Sequence, residues 1–300
     1  MITAKIIADS ISEKGKRITT FELEYPRFIH SELMTHRMLS RNAASSRAIP
    51  VNTMIGLVWS NPAQPVHWGK NQAGMQAKEE LTGFRLWATK KIWNVSGKVA
   101  CGFAWILNKV GCHKQIVNRI TEPWSHIKVV ATATEWDNFF YLRNHPDAQP
   151  EIHELARIMW DLYKNSTPKE LKEGEWHLPY ISSSDGKYYT TSTPIPIAGF
   201  PEDKPMYKVF ASDEISLEDA KKLSASLCAQ TSFRKADESV DKAIRIYDRL
   251  VVSRPVHSSP FEHQATPSDD PELVSGNLRG WFQFRESIDG NVCFDYDGSH

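Results

Sequence analysis

From Thr19 to Tyr25 apolar and acidic positions alternate, with Phe21, Leu23 and Tyr25 set against Glu22 and Glu24. A period of two is that of a strand with one buried and one wet face. Ile2–Ala8 reads as its partner, joined through a polar turn at Ser12–Lys16. Pro26 closes the second strand and suits the first turn of a helix over Phe28–Arg37, whose apolar positions are Phe28, Ile29, Leu33 and Met34. Val129–Ala133 predicts a short strand, and Thr134 with Asp137 predicts an N-cap box opening a helix that runs to about Arg143. Glu151–Lys164 places Ile152, Leu155, Ile158, Met159 and Leu162 on one helical face. Ser216 predicts the cap of a helix over Leu217–Leu227, and an amphipathic helix is expected around Asp237–Val251. Asn277–Glu286 alternates as a strand. Residues 48–71, rich in Pro, Asn, Trp and Gly, read as irregular backbone beside a site. Gln72–Asn94 and Lys98–Ile120 read as helices, with Met75, Leu81, Phe84, Leu86, Trp93, Phe103, Ile106 and Val110 as packing positions and His67 as a packing residue rather than a ligand. Pro194, Pro196, Pro201 and Pro205 mark a loop-rich stretch without evident chemistry.

A chain of 300 residues with 41% hydrophobic content can bury a large core, and it suits one domain carrying a helical insertion at about 50–115. Lys plus Arg equals Asp plus Glu at 36 each, so no global field attracts nucleic acid and any polyanion site must be local. Cys101, Cys112, Cys228 and Cys293 form no close pair and no metal-ligand spacing. With no signal peptide and no apolar run long enough to span a bilayer, the expectation is a cytoplasmic protein without a membrane partner or a metal. Cys112 beside His113 has the residue types of a nucleophile and base, but sequence neighbours rarely face each other productively.

The chemistry concentrates in Glu32–Arg47. His36 and Arg37 leave the helical run and enter a loop of Ser40, Asn42, Ser45 and Ser46, closed by Arg47. Small residues let backbone N–H groups approach phosphate oxygens, and a guanidinium grips a phosphate with two prongs. The same residues also describe an ordinary helix exit on a solvated surface. A second stretch carries Leu142, Arg143, Ala148, Gln149, Glu151 and Ile152. Asn138 and Arg143 are five positions apart and not on one helical face, so a shared ligand requires the long Arg143 side chain to reach across. By themselves Arg119 and Arg143 read as surface or salt-bridge residues. A third stretch runs Cys228-Ala229-Gln230-Thr231-Ser232-Phe233, then a helix, then His257-Ser258-Ser259-Pro260-Phe261-Glu262-His263.

The spacing His36, Arg37, Ser40, Asn42, Ser45, Arg47 resembles the signature of the flavin-dependent thymidylate synthases of the ThyX type. The Leu142-Arg143 to Ile152 pattern resembles that family's second signature. The third block is similar to one that lies near the amino terminus in the family, so this chain resembles a circularly permuted member. The fold that follows is α+β, a mainly antiparallel sheet with surrounding helices, in a single domain over 1–300. The resemblance implies FAD as cofactor, bound across subunits of a homotetramer, with NADPH and methylenetetrahydrofolate as co-substrates and dUMP as the pyrimidine substrate. It places FAD on Thr35, His36, Arg37, Met38, Asn42, Asn138, Ser259 and Glu262. It places dUMP on Glu32, Ser45, Ser46, Arg47, Arg119 and Arg143, with Arg143 as the catalytic group favouring negative charge on the N3–O4 edge of the ring. Ser45 has no adjacent base in sequence that would make it a nucleophile.

The chain departs from the family at several places. Thr35 replaces the first Arg of an Arg-His-Arg triplet, Ala43 replaces a Glu, Ala48 replaces a Tyr, and Thr132 and Thr134 stand where Asn and Arg are common. Three functions are therefore compatible with the residues: reductive methylation of dUMP to dTMP, a flavin- and folate-dependent modification such as hydroxymethylation of dUMP or dCMP, and nucleotide binding without catalysis.

Overall fold

The computed structural model describes residues 1–184, 186–190, 214–231, 240–296 and 298. Ser232, Phe233 and Asp237 of the third block, and Pro194, Pro196, Pro201 and Pro205, lie outside them.

The alternating opening forms a long hairpin, β1 (Thr3–Ser12) and β2 (Arg17–Pro26), paired Ile6 to Phe21 and Ser10 to Ile18 across a bulge between Ile6 and Ala8. A 3-10 turn at Arg27–Ile29 leads into α1 (His30–Met34), which ends before His36 and Arg37 rather than including them. The segment expected to be loop contains β3 (Ser40–Ala43), because Ser40 and Asn42 face inward while Ala43 faces out. The insertion supplies α2 (Val51–Ser60), α3 (Gly83–Lys109) and α4 (Lys114–Val117). After it come β4 (His126–Ala133), α5 (Asp137–Arg143), α6 (Pro150–Asn165) and β5 (Lys169–Leu171). The main sheet has the order β3-β4-β2-β1-β5; it is antiparallel except for the β1–β5 pair. The architecture is α+β.

One face of the sheet holds the core. Phe21, Leu23, Tyr25, Val129 and Ala131 meet Ile152, Leu155, Ala156 and Met159 of α6, the face expected for that helix. Trp136, Phe139 and Phe140 join them as an aromatic cluster, the Trp136 ring edge-on to Phe21 at 5.1 Å. The other face buries hydroxyls and is covered by the carboxyl-terminal third, through Ile18, Leu171, Ala265, Leu278 and Trp281.

From residue 181 onward the chain contains β6 (Ile181–Ser184), β7 (Lys187–Thr190), β8 (Glu214–Ile215), α7 (Leu217–Ala229) and α8 (Val240–Val252). Ser216 caps α7 as expected, its Oγ accepting from Asp219 N at 3.1 Å. The expected strand over 277–286 does not extend the main sheet. It breaks at Gly280 into short pieces that pair locally with Ala265–Pro267 and Val274–Ser275, then becomes a 3-10 turn at Phe284–Ser287.

The insertion differs most from expectation. Pro50 starts α2 where irregular backbone was expected, and Val51, Met54 and Val58 are buried at helical spacing. Residues 72–82 are irregular, and α3 then runs unbroken through the expected gap between Asn94 and Lys98, where Gly97 lies, and ends at Lys109 rather than continuing to Ile120. That glycine is a contact: a Cβ there would stand 3.0 Å from Trp124 Cγ. Met75, Phe84, Phe103, Ile106 and Val110 are exposed rather than packed. His67 is structural, its Nε2 lying 2.7 Å from Ala77 O.

Candidate active site

Arg143 ends α5 and reaches back to the segment that follows α1, crossing 107 positions of sequence. Its Nε donates to His36 Nε2 at 2.8 Å, one terminal nitrogen donates to Thr35 Oγ1 at 3.1 Å, and the other pairs with Glu32 Oε2 at 2.9 Å. A guanidinium only donates, so His36 Nε2 carries the lone pair and the ring is neutral, with its proton on Nδ1. Burial pushes the His36 pKa down, and the charges of Arg143 and Arg41 push it further, against the opposing pull of Glu32. The ring is held edge-on to Phe139 at 5.0 Å, which ties the group to the aromatic core. Arg41, which belongs to none of the motifs, fixes the backbone beneath, donating to Leu33 O and His36 O at 3.1 Å each.

A second cluster forms where β3 leaves the sheet. Ser46 Oγ donates to Glu122 Oε1 at 2.6 Å, and Arg119 reaches the same carboxylate at 3.2 Å. Asn118 Nδ2 donates to Ser46 O and Ile49 O, and Arg27 donates to Ala44 O, so the loop backbone is pinned from below. Burial lowers the Arg27 pKa. Glu122 and Arg27 carry no motif signal, since a carboxylate that accepts from Ser46 and a half-buried arginine are recognised only once the chain is folded. Among the described residues no hydrogen bond or ion pair links this cluster to the Arg143 cluster.

The third block lies against β3. Asn42 Nδ2 donates to Cys228 O at 3.3 Å, Ser40 Oγ donates to Asn277 Oδ1 at 2.8 Å, and Asn277 Nδ2 donates to Met38 O at 3.0 Å. Glu262 is ion-paired with Arg285 at 2.5 Å. The hydroxyl of Thr132 stands 2.8 Å from His263 Nδ1 and 2.7 Å from Thr20 Oγ1, buried within the sheet. Thr134 does not form the expected cap box. Its Oγ1 accepts from Arg279 N at 3.0 Å, and Trp136 precedes α5 without a side-chain cap.

The structure thus brings Glu32, Thr35, His36 and Arg143 into one contact group, and Ser46 with Arg119 into another. Asn42 and Glu262 are engaged within the protein. Arg37, Met38, Arg47, Asn138 and Ser259 are exposed, and Ser45 is half-buried. Among the described residues the Arg37 and Arg47 side chains have no hydrogen-bond or ion-pair partner. The donors of Arg37 and Asn138 are of the kind that would suit the diphosphate and polar ring edge of a flavin dinucleotide. Beside Glu32 lies a groove of about 1410 Å³ between the insertion and α6, lined also by Phe28, His67, Gln149 and Glu151. Glu151 is buried there, its Oε1 accepting from Val66 N at 2.7 Å, so this signature residue anchors the insertion.

No protein-family model and no curated protein matches the chain. Among solved structures, it is similar to a UMP/dUMP methylase PolB from Streptomyces cacaoi bound with 5-Br UMP, at 17% identity over 54% of this chain and 88% of that one, with a TM-score of 0.42. The same protein bound with 5-Br dUMP aligns at 15% identity over 54% and 90%, with a TM-score of 0.44. Among the described residues no helix is long and apolar enough to cross a membrane.

Proposed function

We propose that this chain is a flavin-dependent thymidylate synthase, methylating dUMP to dTMP with methylenetetrahydrofolate and NADPH as co-substrates. The observation that carries the reading is the convergence of Glu32, Thr35 and the signature residue His36, from the Glu32–Arg47 stretch, with Arg143 of the second signature. Three of the five guanidinium N–H groups of Arg143 hold it in place, and two remain for a ligand. A pyrimidine C5 is a weak nucleophile, and a fixed cation at the N3–O4 edge stabilises the negative charge that must build there. Arg47 and the Ser45–Ser46 backbone would take the phosphate. Arg37, Asn138 and Ser259 would hold FAD, which supplies the hydride when bound. Because the Arg143 and Ser46–Arg119 clusters stay separate within one chain, a complete site would draw on more than one subunit of a homotetramer.

A second reading rests on Ala43, which is exposed at the end of β3 and brings no carboxylate to that edge. It gives a hydroxymethyl rather than a methyl product, or dCMP as the substrate. Mass spectrometry of nucleotides after incubation with dUMP, methylenetetrahydrofolate, FAD and NADPH separates the readings. dTMP is the expected product, a hydroxymethylated nucleotide would replace the first reading by the second, and a protein that takes up nucleotide but neither flavin nor carbon would overturn both.

A further inference from the structure

The insertion carries charge that the rest of the chain balances. Residues 50–115 hold eight Lys and Arg against two Glu, +6, leaving −6 elsewhere. Both carboxylates are engaged, Glu79 with Lys70 and Glu80 with His67. Helix α3 itself has Arg85, Lys90, Lys91, Lys98 and Lys109 and no acidic residue.

This helix is apolar on two faces. Gly97, Ala100, Cys101 and Ala104 pack inward. On the far side Phe84, Ile92, Val95, Val99, Phe103, Ile106 and Val110 form a second stripe, each at least half exposed. At 3.6 residues per turn Lys91, Lys98 and Lys109 fall in a row along one flank of that stripe, with Trp87 and Trp105 beside them. Lys98 Nζ stands 5.0 Å over the ring of Trp59 from α2, which is itself 54% exposed. The outward side chains expose on the order of 900 Å², far more than scattered surface residues and comparable to one half of a protein interface.

We propose that this face of α3 docks on an anionic lipid bilayer, with the helix lying in the plane of the interface. Apolar side chains would enter the acyl boundary, the lysine row would meet anionic headgroups, and Trp59, Trp87 and Trp105 would sit between. Charge selects lipid over a second copy, because pairing two such helices sets cations against cations with no anion on either. Among the described residues no helix is long and apolar enough to cross a membrane, so the proposed contact is along the surface.

The test is flotation of the full-length protein with vesicles of phosphatidylglycerol and phosphatidylcholine, alongside pure phosphatidylcholine vesicles. Binding is expected only with phosphatidylglycerol, with tryptophan quenching by brominated lipid. Replacing Lys91, Lys98 and Lys109 with Gln should weaken it by roughly 10–100-fold, and Val99→Asp with Phe103→Asp should abolish it while the unfolding midpoint is kept. No flotation with phosphatidylglycerol would overturn the proposal. So would self-association in sedimentation velocity that the two Asp substitutions remove, since a second copy would then cover the face.

Discussion

Arg143 is fixed by three different partners, a carboxylate, a neutral imidazole and a hydroxyl, and only a planar guanidinium meets all three at once. Arg143→Lys should therefore behave nearly as Arg143→Ala, with turnover lost and flavin affinity largely retained; turnover of the Lys variant near that of the parent would remove the fork from the argument. Arg47 is exposed, so Arg47→Ala should act on affinity alone, weakening nucleotide binding by about 1.5–3 kcal/mol in a titration. His36 adds a pH dependence. It accepts from Arg143 only while neutral, and its pKa lies below the usual 6.5. Nucleotide affinity should be flat at neutral pH and fall as acid protonates the ring, somewhere below 6.5. His36→Gln, which accepts at every pH, should flatten that acid limb, and an unchanged limb would assign the titration to another group.

At the scale of elements, glycine had two meanings that the sequence does not separate. Gly97 falls in the gap between two expected helices, yet it lies inside α3 as a seat for Trp124, whereas nothing stands within 4 Å of a Cβ at Gly102 in the same helix. Gly97→Leu should destabilise the protein by about 1–3 kcal/mol through overpacking, and Gly102→Ala should stabilise it by about 0.5–1 kcal/mol; urea midpoints read both. The second half of β2 and α6 were legible because one face of each is buried against a single apolar core, which stamps a clear period on the sequence, whereas β4, buried on both faces from Val129 to Ala133, shows as a short run of small and apolar residues. β3 was not, because its inward residues, Ser40 and Asn42, are polar and hydrogen-bonded to Asn277 and Cys228. The outer stripe of α3 has the composition of a core without being one, so a helical face alone could not say which side is buried. Of the site, the motifs marked Glu32, Thr35, His36 and Arg143, but Glu122, Arg41 and Phe139, which hold such residues in place, belong to no motif and show only through distance.

Across the whole molecule, one buried chain of side chains ties the carboxyl-terminal third to the sheet. Ser10 Oγ meets His177 Nδ1 at 2.9 Å, His177 Nε2 meets Thr20 Oγ1 at 2.8 Å, and the line continues through Thr132 to His263. Each bridging hydroxyl has one proton to give, so with both imidazoles neutral every bond points the same way along the chain. Burial pushes the pKa of His177 down to about 3, and burial with the neighbouring His177 does the same to His263, also to about 3. In the unfolded chain both protonate near 6.5, so the unfolded state binds more protons at every pH between about 3 and 6.5. Stability from these two residues is therefore complete above pH 6.5 and falls as pH drops, by up to about 1.4 kcal/mol per pH unit for each histidine. Replacing both with Gln should lower stability at pH 7, where the neutral network is intact, and should shallow the acid slope. Urea unfolding at pH 7 and pH 5 measures the two effects separately. An acid slope that stays as steep in the double variant would place the acid-labile groups elsewhere, leaving this line of hydrogen bonds a structural link of His177 and His263 to the sheet.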